Sequence, residues 1–129
     1  MDAVIFEKNY PMAYTVAAQS EISKRFGGIE KIEQMLNPED ITGFMENMAF
    51  CAAAMIKGYA DRETVRAISM GEEAKEFAVL TAEQIEAAIL PGEVMKLSSA
   101  IMETMRDGNK VEVEVSPKKG KNAKATQSE

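Results

Sequence analysis

The sequence has no histidine and a single cysteine, Cys51, among its 129 residues. Histidine is the commonest general base and metal ligand in proteins, so its absence leaves Asp, Glu or Lys chemistry as the main routes for an enzyme. One cysteine excludes an internal disulfide. The sequence also lacks a secretory cleavage pattern and any run of about 18 or more apolar residues, so we expect a cytosolic protein with no membrane partner. These absences favour a protein that is not an enzyme and that uses no metal or cofactor.

The remaining chemical candidates have simpler structural explanations. Carboxylates occur in pairs, for example Glu72 with Glu73 and Glu83 with Glu86. No Asp-rich loop or glycine-framed calcium pattern accompanies them, so solvated acidic faces are favoured over a cation site. Cys51 has apolar neighbours on both sides, which predicts a buried and inert thiol.

Charge is distributed unevenly along the chain. The net charge is −6, yet residues 116–129 contain four lysines and one glutamate. Subtracting this +3 from the total leaves −9 on residues 1–115, and an acidic body argues against nucleic acid as a partner. Residues 116–129 contain no large apolar side chain, which predicts a disordered, lysine-rich tail after a single domain at 1–115.

Local signals predict a mainly α-helical fold of about five helices with a short N-terminal β-hairpin. The hairpin strands are expected at Ala3–Phe6 and Tyr10–Tyr14, joined by a turn at Glu7–Asn9. Thr15 is a suitable N-cap for the first helix, and Gly27 is a suitable stop. The expected helices are, in order, Thr15–Phe26, Ile29–Leu36, Asn37–Tyr59, Thr81–Leu90 and Glu93–Arg106.

The helix expected at Asn37–Tyr59 is the longest, and its large apolar residues recur at steps of three and four. Asn37 and Pro38 favour a helix start. The opposite side carries few large polar groups, so we expect this helix to contact something on two sides. After Tyr59 the pattern weakens, and residues 60–80 are expected to hold at most a helical turn at Arg62–Met70, a break at Gly71 and a charged link.

Two further local patterns lie towards the C-terminus. Thr81 and Gln84 form the pattern of a capping box at the start of the fourth helix. Residues 111–115 alternate valine and glutamate, which is typical of a short strand with one covered side.

Ten methionines and a few aromatic residues offer a candidate partner-binding surface. Methionine is flexible and polarizable, so surfaces rich in it adapt to more than one partner. Core filling is the simpler explanation for any single one of these residues and is favoured, whereas Met95 and Met102 fall off the main stripe of their helix and leave both interpretations open. The candidates are Phe44, Met48, Phe50, Met55, Tyr59, Met95 and Met102.

Three segments together resemble the tail assembly chaperones of long-tailed bacteriophages and prophages of Gram-positive bacteria. The first is VIFEKNYPMAYTVAAQSEISKRFGGIEKIEQML, at 4–36, with its short strand, Tyr-Pro step and helix ending in Arg-Phe-Gly. The second is the alanine-rich helix at Phe44–Tyr59. The third is LTAEQIEAAILPGEVMKLSSAIMETMRDG, at 80–108, with a Leu-Thr-x-Glu-x-Ile segment and a Pro-Gly-Glu turn.

This resemblance implies a mostly helical, self-associating protein made in the host bacterial cytoplasm. Members of the family coat the long tape measure protein before the tail polymerises, keep it soluble, help to recruit tail tube protein and are absent from the finished virion. The family has no shared catalytic residues, so none is transferred to this chain.

A second hypothesis is a small acidic helical adaptor or regulator that binds a basic protein. Its binding would weaken strongly with salt, whereas binding of an apolar helical client would tolerate salt better.

Overall fold

The computed structural model describes residues 1–32 and 41–110. Within them the chain is mainly helical and begins with a short antiparallel hairpin, as predicted. Its elements are β1 (Asp2–Ile5), β2 (Lys8–Pro11), α1 (Val16–Phe26), α2 (Ile41–Met70), α3 (Ala82–Ala88) and α4 (Val94–Gly108), with 3₁₀ turns at Ile29–Lys31 and Pro91–Glu93.

Several predictions fall wholly or partly outside the described residues. These are the second half of the helix expected at Ile29–Leu36, the helix start at Asn37 and Pro38, the strand expected at 111–115 and the tail at 116–129.

The hairpin turn consists of Phe6 and Glu7, because Ile5 pairs with Lys8 in the antiparallel register. Both turn residues have positive φ angles, 54° and 63°, which are typical of a type I′ turn. The prediction of a turn at Glu7–Asn9 is therefore wrong by one to two residues. Asn-Gly is the usual signal for this turn, and Phe-Glu carries no such signal, so no local pattern marks its true position.

Helix α1 begins and ends at the predicted residues. The Oγ1 atom of Thr15 accepts a hydrogen bond from the backbone N–H of Ala18 at 3.1 Å. Gly27 ends the helix with a φ angle of 88°, a conformation that glycine adopts without a steric penalty. The helix is thus capped at both ends, and the side chains of Ile22 and Phe26 are buried in the core.

Helix α2 is one continuous helix of 30 residues and extends well beyond the predicted end at Tyr59. It ends instead at Gly71, as the predicted break indicated. Gly71 has a φ angle of 71°, and the backbone N–H of Glu72 donates to the carbonyl oxygen of Ala67 at 2.8 Å. This bond and the one from Gly71 to Ile68 form a Schellman motif, which satisfies carbonyl groups at the helix end.

The core surrounds α2, which is contacted by α1, α3 and α4. The two-sided contact predicted for this helix is therefore present. Its most deeply buried side chains meet an isoleucine from each neighbouring element, and together they form one cluster. The largest fully buried side chains are Ile5, Ile22, Met48, Cys51, Met55, Ile85 and Ile101.

Residues 71–80 contain no helix or strand and bring the chain back along the second half of α2. The ring of Phe77 meets that of Tyr59 edge to face, with the centroids 5.3 Å apart. Thr81 and Gln84 then form both bonds of the predicted capping box, at 3.1 and 2.9 Å. The capping box therefore marks the end of the segment at 71–80 and the start of α3.

Helices α3 and α4 meet at a sharp corner formed by the 3₁₀ turn at Pro91–Glu93. The Oε1 atom of Glu93 accepts a hydrogen bond from the backbone N–H of Leu90 at 2.9 Å, which fixes the corner. Helix α4 buries the predicted face and continues two residues past its expected end at Arg106, to Gly108. Within the described residues, no helix has both the length and the apolar character needed to cross a membrane.

Candidate partner-binding crevice

Three of the seven candidate residues belong to the core. Phe44, Met48 and Met55 are 4%, 1% and 0% exposed. Their side chains pack among the buried residues of the core cluster, and that of Met48 also lines the crevice described below. We therefore assign Phe44 and Met55 to core filling, whereas Met48 both fills the core and forms part of the crevice wall.

Two aromatic candidates are half-buried and already make contacts within the chain. The guanidinium carbon of Arg25 lies 4.8 Å from the ring centroid of Phe50, in a cation–π arrangement. The Nε atom of the same arginine donates to Oδ1 of buried Asn47 at 3.1 Å, so these side chains join α1 to α2. Tyr59 contacts Phe77. Each ring thus has a structural role.

The two methionines of α4 differ in exposure. Met95 is 62% exposed, whereas Met102 is half-buried against the core. Met102 lines a surface groove of about 350 Å³ with Tyr14 and Arg106, at the junction of α1 and α4. Among the seven candidates, Met95 therefore has the most freely presented side chain.

An apolar crevice opens where α2, α3 and α4 meet. Its volume is about 140 Å³, and seven of its eight lining residues are apolar. The lining residues are Met45, Met48, Ala49, Ile85, Glu86, Ile89, Val94 and Leu97.

The crevice exists because of how its three helices are built. Ala49 is buried and small, so α2 leaves space between Met45 and Met48 on one side and the facing helices on the other. Helix α3 is only seven residues long, and the Pro91–Glu93 turn redirects the chain before α3 can cover the opening. A short helix and a tight corner thus leave apolar side chains partly uncovered.

Two exposed apolar side chains at the α3–α4 corner directly follow lining residues in the sequence. Leu90 follows the lining residue Ile89 and is 65% exposed, and Met95 follows the lining residue Val94. Large apolar side chains exposed next to an apolar opening are typical of a surface that another molecule covers. We call the crevice together with Leu90 and Met95 the apolar site.

Acidic residues predominate among the charged residues of the segments that form this site. Residues 41–49 and 81–98, which form the crevice, contain four glutamates and one lysine, Lys96. The glutamates are all exposed, and no lysine or arginine within residues 1–32 and 41–110 forms an ion pair with them. The acidic rim consists of Glu46, Glu83, Glu86 and Glu93.

Sequence reasoning missed most of this site. Helical periodicity places Met45 in the buried stripe of α2, and the Glu83–Glu86 pair reads as a solvated face with no partner. Leu90 is the sequence signal for an exposed apolar residue at this site, because it directly precedes Pro-Gly. A turn at Pro-Gly leaves little room to bury a large side chain. The crevice itself involves three helices separated in sequence, so no local pattern reveals it.

The thiol of Cys51 and the acidic side chains are the remaining candidates for chemistry. Cys51 is fully buried, and burial raises the pKa of its thiol to about 12, so a reactive thiolate does not form near neutral pH. Within residues 1–32 and 41–110, no three histidine, cysteine or acidic side chains are grouped so that they could hold a metal ion.

Exposed apolar side chains also occur away from the apolar site. Val65 and Ile68 lie on one face of the second half of α2 and are 64% and 70% exposed. Phe6, at the hairpin tip, is 81% exposed. These three side chains do not line the crevice, so the apolar site differs from them in pairing exposed apolar residues with an opening.

Comparison of the chain with protein-family models, with curated proteins and with solved structures found no match.

Proposed function

We propose that this protein is a tail assembly chaperone of a long-tailed bacteriophage or prophage. In this proposal it binds the tape measure protein in the host bacterial cytoplasm, keeps it soluble, helps to recruit tail tube protein and is absent from the finished virion. The resemblance of the three sequence segments to that family supports the proposal. The structural observation on which it depends most is the apolar site between α2, α3 and α4.

The size of the crevice fits one large side chain of a helical client. An apolar cavity of about 150 Å³ accommodates benzene, and the crevice is of similar volume. A client helix lying across the opening would insert one leucine, phenylalanine or methionine and rest its next apolar residues on Leu90 and Met95.

The methionines of the site suit a chaperone because a long client presents many different segments. Met45 lines the crevice, and Met95 is exposed beside it. Unbranched side chains change rotamer at low cost, so the same opening can adapt to different anchors. Adaptability of this kind is expected of a protein that covers a long client with many copies.

Co-expression with the tape measure protein of the same phage or prophage tests this function. We expect the tape measure protein to become soluble and to carry many copies of this protein through pull-down and size exclusion. If the client precipitates while this protein elutes alone, the proposal is wrong.

A matched pair of double variants assigns the effect to the apolar site. Leu90→Glu with Met95→Glu places charge on exposed positions of the site, so the fold should survive while the client returns to the pellet. Val65→Glu with Ile68→Glu makes the same change on α2, and we expect the client to stay soluble. Far-UV circular dichroism checks the helicity of both variants.

The net charge of −6 favours a second candidate, an acidic adaptor or regulator of a basic protein. Attraction between exposed charges is screened by salt, with a Debye length of about 8 Å at physiological ionic strength. An adaptor complex held by charge should therefore dissociate as salt rises. A client complex held mainly by the apolar site should lose only a small part of its affinity.

A further inference from the structure

We propose that the acidic rim makes the apolar site selective for amphipathic helices that carry lysine or arginine one turn away from their apolar anchor. This inference rests on the proposed function, because it concerns the same site. It specifies the chemistry of the client segment that the site prefers.

The carboxylates lie on or beside every helix that forms the crevice. Glu86 is itself a lining residue, and Glu83 lies one turn before it on α3. Glu46 follows the lining residue Met45, and Glu93 precedes the lining residue Val94. Each of the three helices that form the crevice therefore carries a rim glutamate on it or directly before it, and Glu86 lines the opening itself.

One of these carboxylates is held in place. The Oε1 atom of Glu93 accepts the backbone N–H of Leu90, so its position beside the exposed Leu90 side chain is fixed. A carboxylate accepts several hydrogen bonds, so Glu93 can still receive one from a client cation. The Glu93 side chain therefore loses less conformational entropy when it contacts a client cation than a freely rotating glutamate would.

The geometry of a client helix places a basic residue within reach of the rim. Residues three and four apart on a helix have Cβ atoms about 5 to 6 Å apart. When the anchor occupies the crevice, a lysine one turn away lies over the rim. Its aliphatic stem can cover Leu90 or Met95 while its ammonium group reaches a glutamate.

The same charges disfavour acidic helices. A client glutamate at that position would face the rim carboxylates, and among the residues that form the crevice only Lys96 could offset them. Each exposed pair contributes little, so the rim discriminates between segments modestly while the apolar anchor supplies most of the affinity.

Three labelled helical peptides of about 18 residues, or five turns, test the inference by fluorescence anisotropy with the full chain. The first has a leucine stripe with lysine one turn from each leucine, and the second has glutamate in place of lysine. The third keeps the lysines and replaces the leucines by alanine. At about 20 mM salt, where screening is weak, we expect the first peptide to bind roughly three- to tenfold more tightly than the second. The third should bind more weakly than either leucine peptide.

A charge reversal on the protein connects the preference to the rim. Glu86→Lys, at an exposed position, should reduce or reverse the preference for the lysine peptide. Glu30→Lys makes the same charge change outside the crevice lining and should leave the preference as it is in the unaltered protein.

The outcomes separate this inference from the proposed function. The inference is overturned if the first peptide, with lysines, and the second, with glutamates, bind with equal affinity, or if neither binds. If the tape measure protein is nevertheless solubilised on co-expression, the proposed function survives that result. If the first and third peptides, which differ only in leucine versus alanine, bind equally tightly, charge alone determines their affinity. That result would contradict an apolar anchor in the crevice and would favour the acidic adaptor as the protein's function.

Discussion

At the scale of single residues, two glycines inside helices bring separate parts of the chain into close contact. A Cβ atom at Gly58 would lie 2.8 Å from the carbonyl oxygen of Ala13, and one at Gly108 would lie 2.6 Å from the Cβ atom of Tyr14. The backbone N–H of Ala13 donates to the carbonyl oxygen of Met55 at 3.0 Å, next to Gly58. The segment between the hairpin and α1 is thus held against α2 and α4 where side chains are missing.

We predict that Gly58→Ala destabilises the protein, although alanine is the better helix former. The new methyl group would meet backbone at 2.8 Å and Oγ1 of Thr15 at 3.1 Å, so the segment must move. Overpacking of this kind lowers the free energy of unfolding by about 1 to 3 kcal/mol. In urea denaturation the midpoint should fall, while the dependence of the unfolding free energy on urea concentration stays the same. Gly92→Ala is the control, since a methyl group added there would have no other atom within 4 Å and no positive φ angle is involved. Equal midpoints for the two variants would contradict the close contact at Gly58.

These glycines show where sequence reasoning stops at the residue scale. The predictions for Thr15, Gly27, Gly71 and Thr81 are confirmed, because a cap or a stop depends on a few neighbouring residues. In the sequence, Gly58 appears only as a residue that weakens the helix. Its contribution to packing depends on a loop more than forty residues earlier in the chain. Only the folded chain reveals that contact.

At the scale of elements, the second half of α2 is held to the rest of the chain on one side. Ala67 is buried, while Val65 and Ile68 are exposed. The returning segment at 71–80 contributes the contact between Phe77 and Tyr59. The apolar pattern in this half is weak because only a narrow strip is covered, which is why the sequence predicts little more than a turn here.

We predict that Phe77→Ala loosens the returning segment. Losing an aromatic pair costs on the order of 1 kcal/mol, and the segment has no hydrogen-bonded helix or strand of its own to hold it. Trypsin should then cleave faster after exposed Lys75, in the middle of the segment, while far-UV circular dichroism changes little. Val79→Ala removes a half-exposed apolar side chain from the same segment and serves as the control. Cleavage at the same rate in both variants would contradict the role given to the Phe77–Tyr59 contact.

At the scale of the whole molecule, one long helix organises the core, and the apolar site lies where two shorter helices fail to cover it. Helical periodicity in the sequence predicts the central helix and the buried face of α4. It does not predict the crevice, whose lining combines α2 with residues about forty positions later in α3 and α4. Of the seven candidate residues, Met48 lines the crevice, and Met95, which follows the lining residue Val94, is exposed.

The measurement that tests the proposed client site most directly is methyl NMR of the protein with labelled methionines, titrated with the tape measure protein. We predict that the methyl signals of Met45, Met48 and Met95 shift or broaden, because these side chains line or flank the apolar site. The signals of Met12 and Met70, which lie outside it, should stay in place. If the client leaves Met45 and Met95 unaffected, or perturbs Met70 instead, the apolar site is not where the client binds.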